Sequence, residues 1–168
     1  MKPEDYMKEA IKEADMSVAQ GNSPFAVIVV DKDTNEIVWR DHDRVKEKCD
    51  PTAHGEINAI RALCHQFQTL SLSNFAFYTT SEPCPTCLSA MIKAKISLNY
   101  YGAETESTAS LPIKAVELAK FSKKHSISVV GGILAKECLE QRQKYTKWPV
   151  HNSSNMCIKD ISKRSVSF

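Results

Sequence analysis

The chain has 168 residues, of which 42% are hydrophobic and 25% are charged, and this is enough to bury one core of single-domain size. Its formal net charge of +2 does not by itself indicate a nucleic-acid or membrane partner, because polyanion-binding proteins usually carry a clustered basic patch. The longest apolar run, Phe25 to Val30, is far shorter than the roughly 20 residues of a membrane-spanning helix and is typical of a buried strand.

The N-terminal residues and the cysteines together predict a cytoplasmic protein. The charged start, Met1 to Asp5, lacks the apolar stretch and small-residue cleavage site of a secretory signal. Outside a secretory context, a Cys-x-x-Cys pair more often indicates metal or redox chemistry than a disulfide framework. We therefore expect a reducing compartment and no membrane partner.

The pattern of apolar and turn-forming residues predicts alternating helices and strands. Apolar residues recur at helical spacing after Pro3, and Gly21-Asn22 suits a helix end. The polar cluster from Asp31 to Asn35 separates two β-prone segments and predicts a hairpin. In chain order the predicted elements are a helix over 4–20, strands over 25–30 and 36–40, a helix capped by Thr52, a strand over 75–80, a helix from Pro83 to Lys93, a strand over 96–101, a helix over 113–122, a strand over 127–130 and a helix over 134–144.

The order of these elements favours a layered α/β domain whose sheet is mostly parallel in its second half. We place that domain at residues 1–148. Residues 149–168 lose apolar periodicity and contain Pro149 and the polar run Asn152-Ser-Ser-Asn155. This segment is expected to form a C-terminal arm or tail rather than a second domain.

Three side chains suited to metal binding lie at predicted helix starts: His54, Cys84 and Cys87. The two cysteines are three residues apart, so they share one side of a helical turn, and the N-terminal end of the helix dipole favours thiolates. Two thiolates and one neutral imidazole leave the fourth position of a tetrahedral zinc ion open to water, as in catalytic sites. Glu56, two residues after His54, is placed to act as a general base. The sequence therefore predicts one catalytic zinc ion per chain.

Alternative interpretations remain open for these residues. The 30-residue separation of His54 and Cys84 is longer than the spacers of common zinc fingers, and a thioredoxin-like redox pair would leave the His-x-Glu segment unexplained. A fourth thiolate from Cys49 would make the zinc structural, as in a non-catalytic zinc-stapled RNA-binding or interaction module. The remaining cysteines are expected to be packing residues, and the remaining histidines are assigned no role: Cys64, Cys138, Cys157, His42, His65, His125 and His151.

The segments His54-Gly-Glu56 and Pro83-Cys84-Pro-Thr-Cys87 form the H-x-E…P-C-x-x-C pattern of zinc nucleobase deaminases. The chain resembles the cytidine deaminase-like superfamily, and within it the branch that contains bacterial guanine deaminases and tRNA adenosine deaminases. The resemblance runs from about residue 10 to residue 145 and includes four further stretches: Pro24 to Val29, Asp50 to Glu56, Tyr78 to Cys84 and Gly131 to Cys138.

This resemblance implies a three-layer α/β/α fold with a central five-stranded mixed sheet, a homodimer or larger oligomer, and zinc held by the three ligands named above. It also implies that zinc lowers the pKa of its water while Glu56 accepts a proton and later returns protons to the ring nitrogen and the leaving amine. The substrate-binding residues that it implies are Phe25, Asp43 and Ala53.

The two relatives differ in what they imply about the substrate. Pro24-Phe25 is closer to guanine deaminases, in which an aromatic residue near this point walls the base pocket. The stretch from Gly131 to Cys138 is closer to the tRNA enzymes. Deamination of adenosine in tRNA is therefore the less favoured alternative, and it would require basic residues to hold phosphates. Candidates for that role are Lys123, Lys124, Arg142, Lys144 and Lys147.

Asp43 departs from the pattern of both relatives, which have a base-binding asparagine at this position. An ionised aspartate accepts hydrogen bonds but donates none, so it suits a substrate edge rich in N–H groups. We therefore expect a small nucleobase or related heterocycle, such as guanine, a triazine or a pterin. The alternative is a shifted loop in which Asp43 faces solvent.

Overall fold

The computed structural model describes residues 2–105 and 111–146. Its elements in chain order are α1 (Pro3–Ala19), β1 (Ala26–Asp31), β2 (Ile37–His42), α2 (Val45–Lys48), α3 (Gly55–Gln66), β3 (Phe75–Ser81), α4 (Pro85–Lys93), β4 (Leu98–Ala103), α5 (Ala115–Ala119), β5 (Ser128–Val130) and α6 (Ala135–Thr146). The predicted C-terminal arm, with His151 and Cys157, lies outside the described residues. No helix in the described ranges is long and apolar enough to cross a membrane.

The five strands form one sheet in the order β2-β1-β3-β4-β5. Strand β1 is antiparallel to both β2 and β3, and β1 and β2 form the predicted hairpin. Strands β3, β4 and β5 are parallel to one another. The sheet is therefore mixed, with the parallel second half that the sequence predicts.

Alternate residues of the central strands pack into two cores, one on each face of the sheet. On one face, Val27 of β1 and Phe77 of β3 pack with apolar side chains of α3, α4 and α5. On the other face, Ile28 of β1 and Tyr78 of β3 pack with α1 and α6. Because successive side chains of a strand point to opposite faces, two adjacent residues serve two different cores. The result is the expected three-layer α/β/α arrangement.

Two predicted helix starts are wrong by two residues. Thr52 does not cap α3, because its hydroxyl group donates to Oδ1 of Asp50 at 2.7 Å, and His54 is the N-cap residue instead. Helix α4 begins at Pro85 rather than near Pro83, with Cys84 as its N-cap residue. Both shifts place a predicted zinc ligand at the N-cap.

Two further differences concern short elements. The charged segment after β2 was expected to be a loop, but Val45–Lys48 forms the single turn α2, which ends at Cys49 in the left-handed conformation with φ of 49°. Helix α5 spans only Ala115–Ala119, and of its residues only Ala115 is buried. Helix α2 has no buried residue, so it lacks the periodic apolar pattern that would reveal it in a sequence.

Candidate metal centre and active site

The starts of α3 and α4 bring the three predicted metal ligands together. His54 and Cys84 are the N-cap residues of these helices and have extended backbone conformations, with ψ of 152° and 163°. Neither side chain makes a capping hydrogen bond to its own helix, so both are directed elsewhere. Cys87 lies in the first turn of α4 and is fully buried. Each helix thus presents a ligand at its electropositive end, where a thiolate is stabilised.

The distances in this cluster fit a tetrahedral zinc ion. Nδ1 of His54 lies 3.6 Å from Sγ of Cys84 and 3.4 Å from Sγ of Cys87. With Zn–S near 2.3 Å and Zn–N near 2.0 Å, tetrahedral geometry separates a sulfur and a nitrogen ligand by about 3.5 Å. The three ligand atoms all lie within 4.8 Å of one another. Within the described ranges, these three donors leave the fourth tetrahedral position for another ligand, such as water.

The ligands also influence one another's protonation. The hydrogen bond from Cys87 lowers the pKa of Cys84 to about 4, and the hydrogen bond to Cys84 raises the pKa of His54 to about 9. The pKa of Cys87 is raised, first by its hydrogen bond to Cys84 and then by burial. One sulfur is therefore already a thiolate at neutral pH, which is the form that binds a metal.

Glu56 lies in the first turn of α3 with its carboxylate at the ligand cluster. Its Oε2 accepts a hydrogen bond from the Cys87 thiol at 3.5 Å. Burial raises the pKa of Glu56, against the lowering effect of hydrogen bonding and of the nearby His54. A carboxyl group whose pKa is raised holds a proton more readily than an ordinary carboxylate, which suits a group that must take a proton and then return it. The geometry therefore places an acid–base group beside the metal ligands.

Comparison with known proteins agrees with this chemistry. Residues 1–103 match the family described as the cytidine and deoxycytidylate deaminase zinc-binding region. The chain belongs to this family. It is a zinc-dependent deaminase of nucleosides or nucleobases.

Similar proteins in this deaminase family include enzymes of two kinds. A tRNA-specific adenosine deaminase of Haemophilus influenzae is 30% identical over 138 residues, covering 82% of this chain and 79% of that protein. A guanine deaminase of Bacillus subtilis is 36% identical over 110 residues, covering 65% of this chain and 69% of that protein. A structure solved in a study of A-to-I editing by tRNA:A34 deaminases has a TM-score of 0.72 and 27% identity, covering 82% of this chain and 98% of that chain.

The deaminase places Phe25 and Asp43 next to each other. The backbone N–H of Asp43 donates to the carbonyl of Phe25 at 3.0 Å. Asp43 is buried, with 6% of its surface exposed, and its charge contributes to the raised pKa of His54. Its Oδ1 accepts a hydrogen bond from the backbone N–H of Val45 at 3.3 Å, and because the side chain is buried, the alternative of a solvent-facing loop is wrong.

The other predicted substrate residue, Ala53, is fully buried immediately before His54. Its carbonyl accepts hydrogen bonds from the backbone of Arg44 at 2.9 Å and from Nδ2 of Asn58 at 3.1 Å. Phe25 is 37% exposed, and the guanidinium of Arg142 lies 5.2 Å from the centre of its ring. Contact of these residues with substrate stays a prediction.

The other cysteines of the described ranges are not members of the ligand cluster. Within the described part of the chain, the cluster contains His54, Cys84 and Cys87, and Cys49, which is disulfide-bonded, is not a member of it. The alternative in which Cys49 closes the zinc site therefore has no support, and the disulfide differs from the expectation of a reducing compartment. Cys138 is buried in the core formed with α1 and α6, and Cys64 packs against the opposite core, as expected of packing residues.

Glu82 has a positioning role that the sequence motif alone does not reveal. It is 4% exposed and follows β3, two residues before Cys84. Its carboxylate accepts hydrogen bonds from the backbone N–H groups of Ala115 at 2.8 Å and Thr105 at 3.2 Å, and it pairs with Lys114 at 3.3 Å. Glu82 therefore joins the start of α5 and the end of β4 to the segment that carries Cys84.

Proposed function

We propose that this deaminase acts on a small purine-like heterocycle whose binding edge is rich in N–H groups, such as guanine or a related base or nucleoside. Asp43 carries the proposal, because its carboxylate is buried and its charge acts on the pKa of the zinc ligand His54. A carboxylate accepts hydrogen bonds from N–H groups and repels ring nitrogens that present lone pairs. The reaction replaces one amino group with a carbonyl and releases ammonia.

The proposed reaction divides the work between the metal and Glu56. Bound at its three ligands, zinc would supply the Lewis acidity that makes water a nucleophile near neutral pH. Glu56 takes the first proton of water as the oxygen bonds to the amino-bearing ring carbon, and passes it to the ring nitrogen. It then takes the proton that remains on the new hydroxyl group and passes it to the leaving amine, so the carbon–nitrogen bond breaks, ammonia departs and the carbonyl forms.

Two further observations support a small substrate. The backbone N–H of Asp43 donates to the carbonyl of Phe25, whose ring is partly exposed, so an aromatic residue and a carboxylate residue are held on two hydrogen-bonded segments. Such a combination suits a flat heterocycle, which needs one stacking surface and a few placed polar groups. The likeness to a guanine deaminase, at 36% identity, is consistent with this proposal.

The experiment that tests the proposal is ammonia release by the zinc-loaded enzyme from a panel of substrates. The panel contains guanine, 2,6-diaminopurine, a diaminotriazine, an aminopterin, adenine, cytosine and an RNA anticodon stem-loop with adenosine at the wobble position. We expect the highest kcat/KM for a heterocycle with adjacent N–H groups. Exclusive turnover of the stem-loop would refute the proposal.

Deamination of adenosine in tRNA is the second candidate. It is supported by the likeness to the tRNA-specific adenosine deaminase of Haemophilus influenzae, which spans 82% of this chain. The anticodon stem-loop in the panel tests it directly.

We also propose that the enzyme is a cytoplasmic homodimer. Large apolar side chains are exposed around α5, which supports a partner surface there: Leu111, Ile113 and Val116 are 56%, 45% and 42% exposed. Sedimentation equilibrium of the full-length chain tests the oligomeric state. A monomer at micromolar concentration would contradict this part of the proposal.

A further inference from the structure

A buried histidine–carboxylate pair lies next to Asp43 and belongs to neither the ligand cluster nor the two apolar cores. His42, the last residue of β2, is 1% exposed, and Glu13 of α1 is 7% exposed. Nδ1 of His42 lies 2.6 Å from Oε1 of Glu13. No role for His42 is predicted from the sequence, because its partner lies 29 residues away and no local pattern joins them.

Both ring nitrogens of His42 have hydrogen-bond partners on helix α1. Nδ1 faces Oε1 of Glu13, and Nε2 faces the side-chain amide of Gln20 at 3.2 Å. Burial with two placed partners fixes the orientation of the ring. The other charged groups around it are Glu47 of α2, whose pKa the charge of His42 helps to lower, and the neighbours of His42 on its own segment: Asp41, Asp43 and Arg44.

Three polar side chains on one side of helix α1 face the end of β2. Glu13, Ser17 and Gln20 are spaced four and three residues apart, so they lie on one side of the helix. The ring nitrogens of His42 lie within hydrogen-bond distance of Glu13 and Gln20. The hydroxyl group of Ser17 donates to the carbonyl of Ser23 at 2.6 Å and lies 3.4 Å from the carbonyl of Asp43. The end of β2 is therefore anchored to α1 through the ring of His42, and Asp43 follows directly in the chain.

The backbone of His42 also contacts the start of α3, where the metal centre begins. Its carbonyl accepts a hydrogen bond from Nδ2 of Asn58 at 3.2 Å, and the same amide donates to the carbonyl of Ala53. A methyl group placed at Gly55 would lie 3.2 Å from the backbone of His42, so the two segments are in close contact. Movement of His42 would thus shift Asp43 relative to the metal ligands.

We propose that Glu13 and His42 form a hydrogen-bonded positioning pair that fixes the direction of the Asp43 carboxylate and thereby sets substrate preference. This inference rests on the proposed function, in which Asp43 binds the N–H-rich edge of the substrate. Neither residue touches the substrate. They act through the end of β2, a role that the sequence analysis does not assign to His42.

The test is the variant Glu13→Gln, which keeps the shape and one hydrogen bond but removes the negative charge. We expect KM for the best substrate to rise about tenfold while kcat changes less than twofold. The matched control is Glu9→Gln, because Glu9 also joins α1 to β2, through an ion pair with Arg40 at 3.0 Å, but lies at the surface. The control should leave both constants unchanged.

A double-mutant cycle separates positioning from a general structural effect. If Glu13 acts through Asp43, then Glu13→Gln should change KM no further in an Asp43→Asn background. Equal effects in both backgrounds, or a fall in kcat with KM unchanged, would overturn the inference. The cycle uses whichever substrate the wild-type enzyme turns over, so exclusive activity on the stem-loop refutes the proposed function while the cycle still decides the role of the pair.

The hydrogen bond between His42 and Glu13 gives a second readout that does not depend on activity. In long-range ¹H–¹⁵N spectra, Glu13→Gln should shift the Nδ1 signal of His42, whereas the control Glu9→Gln should leave it unchanged. An Nδ1 signal unaltered by Glu13→Gln would contradict the pair.

Discussion

Glu56 is the residue whose replacement should separate chemistry from metal binding. It is not a zinc ligand, yet its carboxylate lies 3.5 Å from the sulfur of Cys87. Glu56→Gln should lower kcat by roughly 10²- to 10⁴-fold, the usual contribution of a general acid–base group, while zinc content stays at one ion per chain. Ammonia release and metal analysis measure the two quantities. Exposed Glu117 on α5 provides the matched control, Glu117→Gln, and activity surviving in Glu56→Gln would contradict the assigned proton transfer.

Asp43 should determine which substrates the enzyme prefers. Asp43→Asn exchanges an acceptor-only side chain for one that both donates and accepts, at nearly constant volume. A hydrogen bond to a charged group contributes about 1.5–3 kcal/mol, so kcat/KM for N–H-rich heterocycles should fall about 10- to 100-fold relative to substrates that present lone pairs. The measurement is the ratio of kcat/KM values across the panel. Unchanged ratios would remove Asp43 from substrate recognition.

At the scale of elements, zinc joins the N-terminal ends of α3 and α4. Without the metal, a thiolate and a protonated histidine are left at these ends. Removing zinc with a chelator should abolish activity and lower the thermal unfolding temperature, because the ion binds the folded protein far better than the unfolded chain. Differential scanning calorimetry, with zinc added back as the control, measures this. An unchanged unfolding temperature would contradict a shared ligand site.

Zinc affinity should depend steeply on pH. Between pH 5 and 8 the pKa of His54, about 9, and the raised pKa of Cys87 keep both groups protonated, whereas Cys84, with a pKa of about 4, is already a thiolate. Binding therefore releases two protons, and the apparent association constant should fall about 100-fold for each unit that the pH is lowered. Competition with a chelating dye measures the slope. A slope near zero would mean that the ligands are deprotonated before the metal arrives.

At the scale of the whole molecule, the small net charge of +2 predicts little dependence on salt. For a neutral heterocycle, kcat/KM should change less than about twofold between 50 and 200 mM salt, because no phosphate contacts are lost. Steady-state rates at four salt concentrations check this, with the anticodon stem-loop as the comparison. A fall of several orders of magnitude would instead indicate a nucleic-acid substrate.

The sequence predicts the metal centre well because it depends on local spacing. Three ligands at two helix starts, and Glu56 two residues from one of them, follow from motifs of a few residues. The strands and their mixed order follow from alternation and from the resemblance. By contrast, the contacts of Glu13 with His42 and of Glu82 with Ala115 join residues that are 29 and 33 positions apart. Polar pairs of this kind leave no periodic signal, so only the fold reveals them.

The absence of a side chain at Gly55 allows the end of β2 and the start of α3 to lie close together. Gly55 opens α3 between His54 and Glu56, and the added carbon of an alanine would press on the main chain of His42 at 3.2 Å. To relieve such a contact, strand β2 or helix α3 must shift by a few tenths of an ångström. This shift would increase the distance between the carboxylate of Asp43 and the ligand His54. A substitution at Gly55 is therefore expected to change both the position of Asp43 and the geometry of the metal ligands.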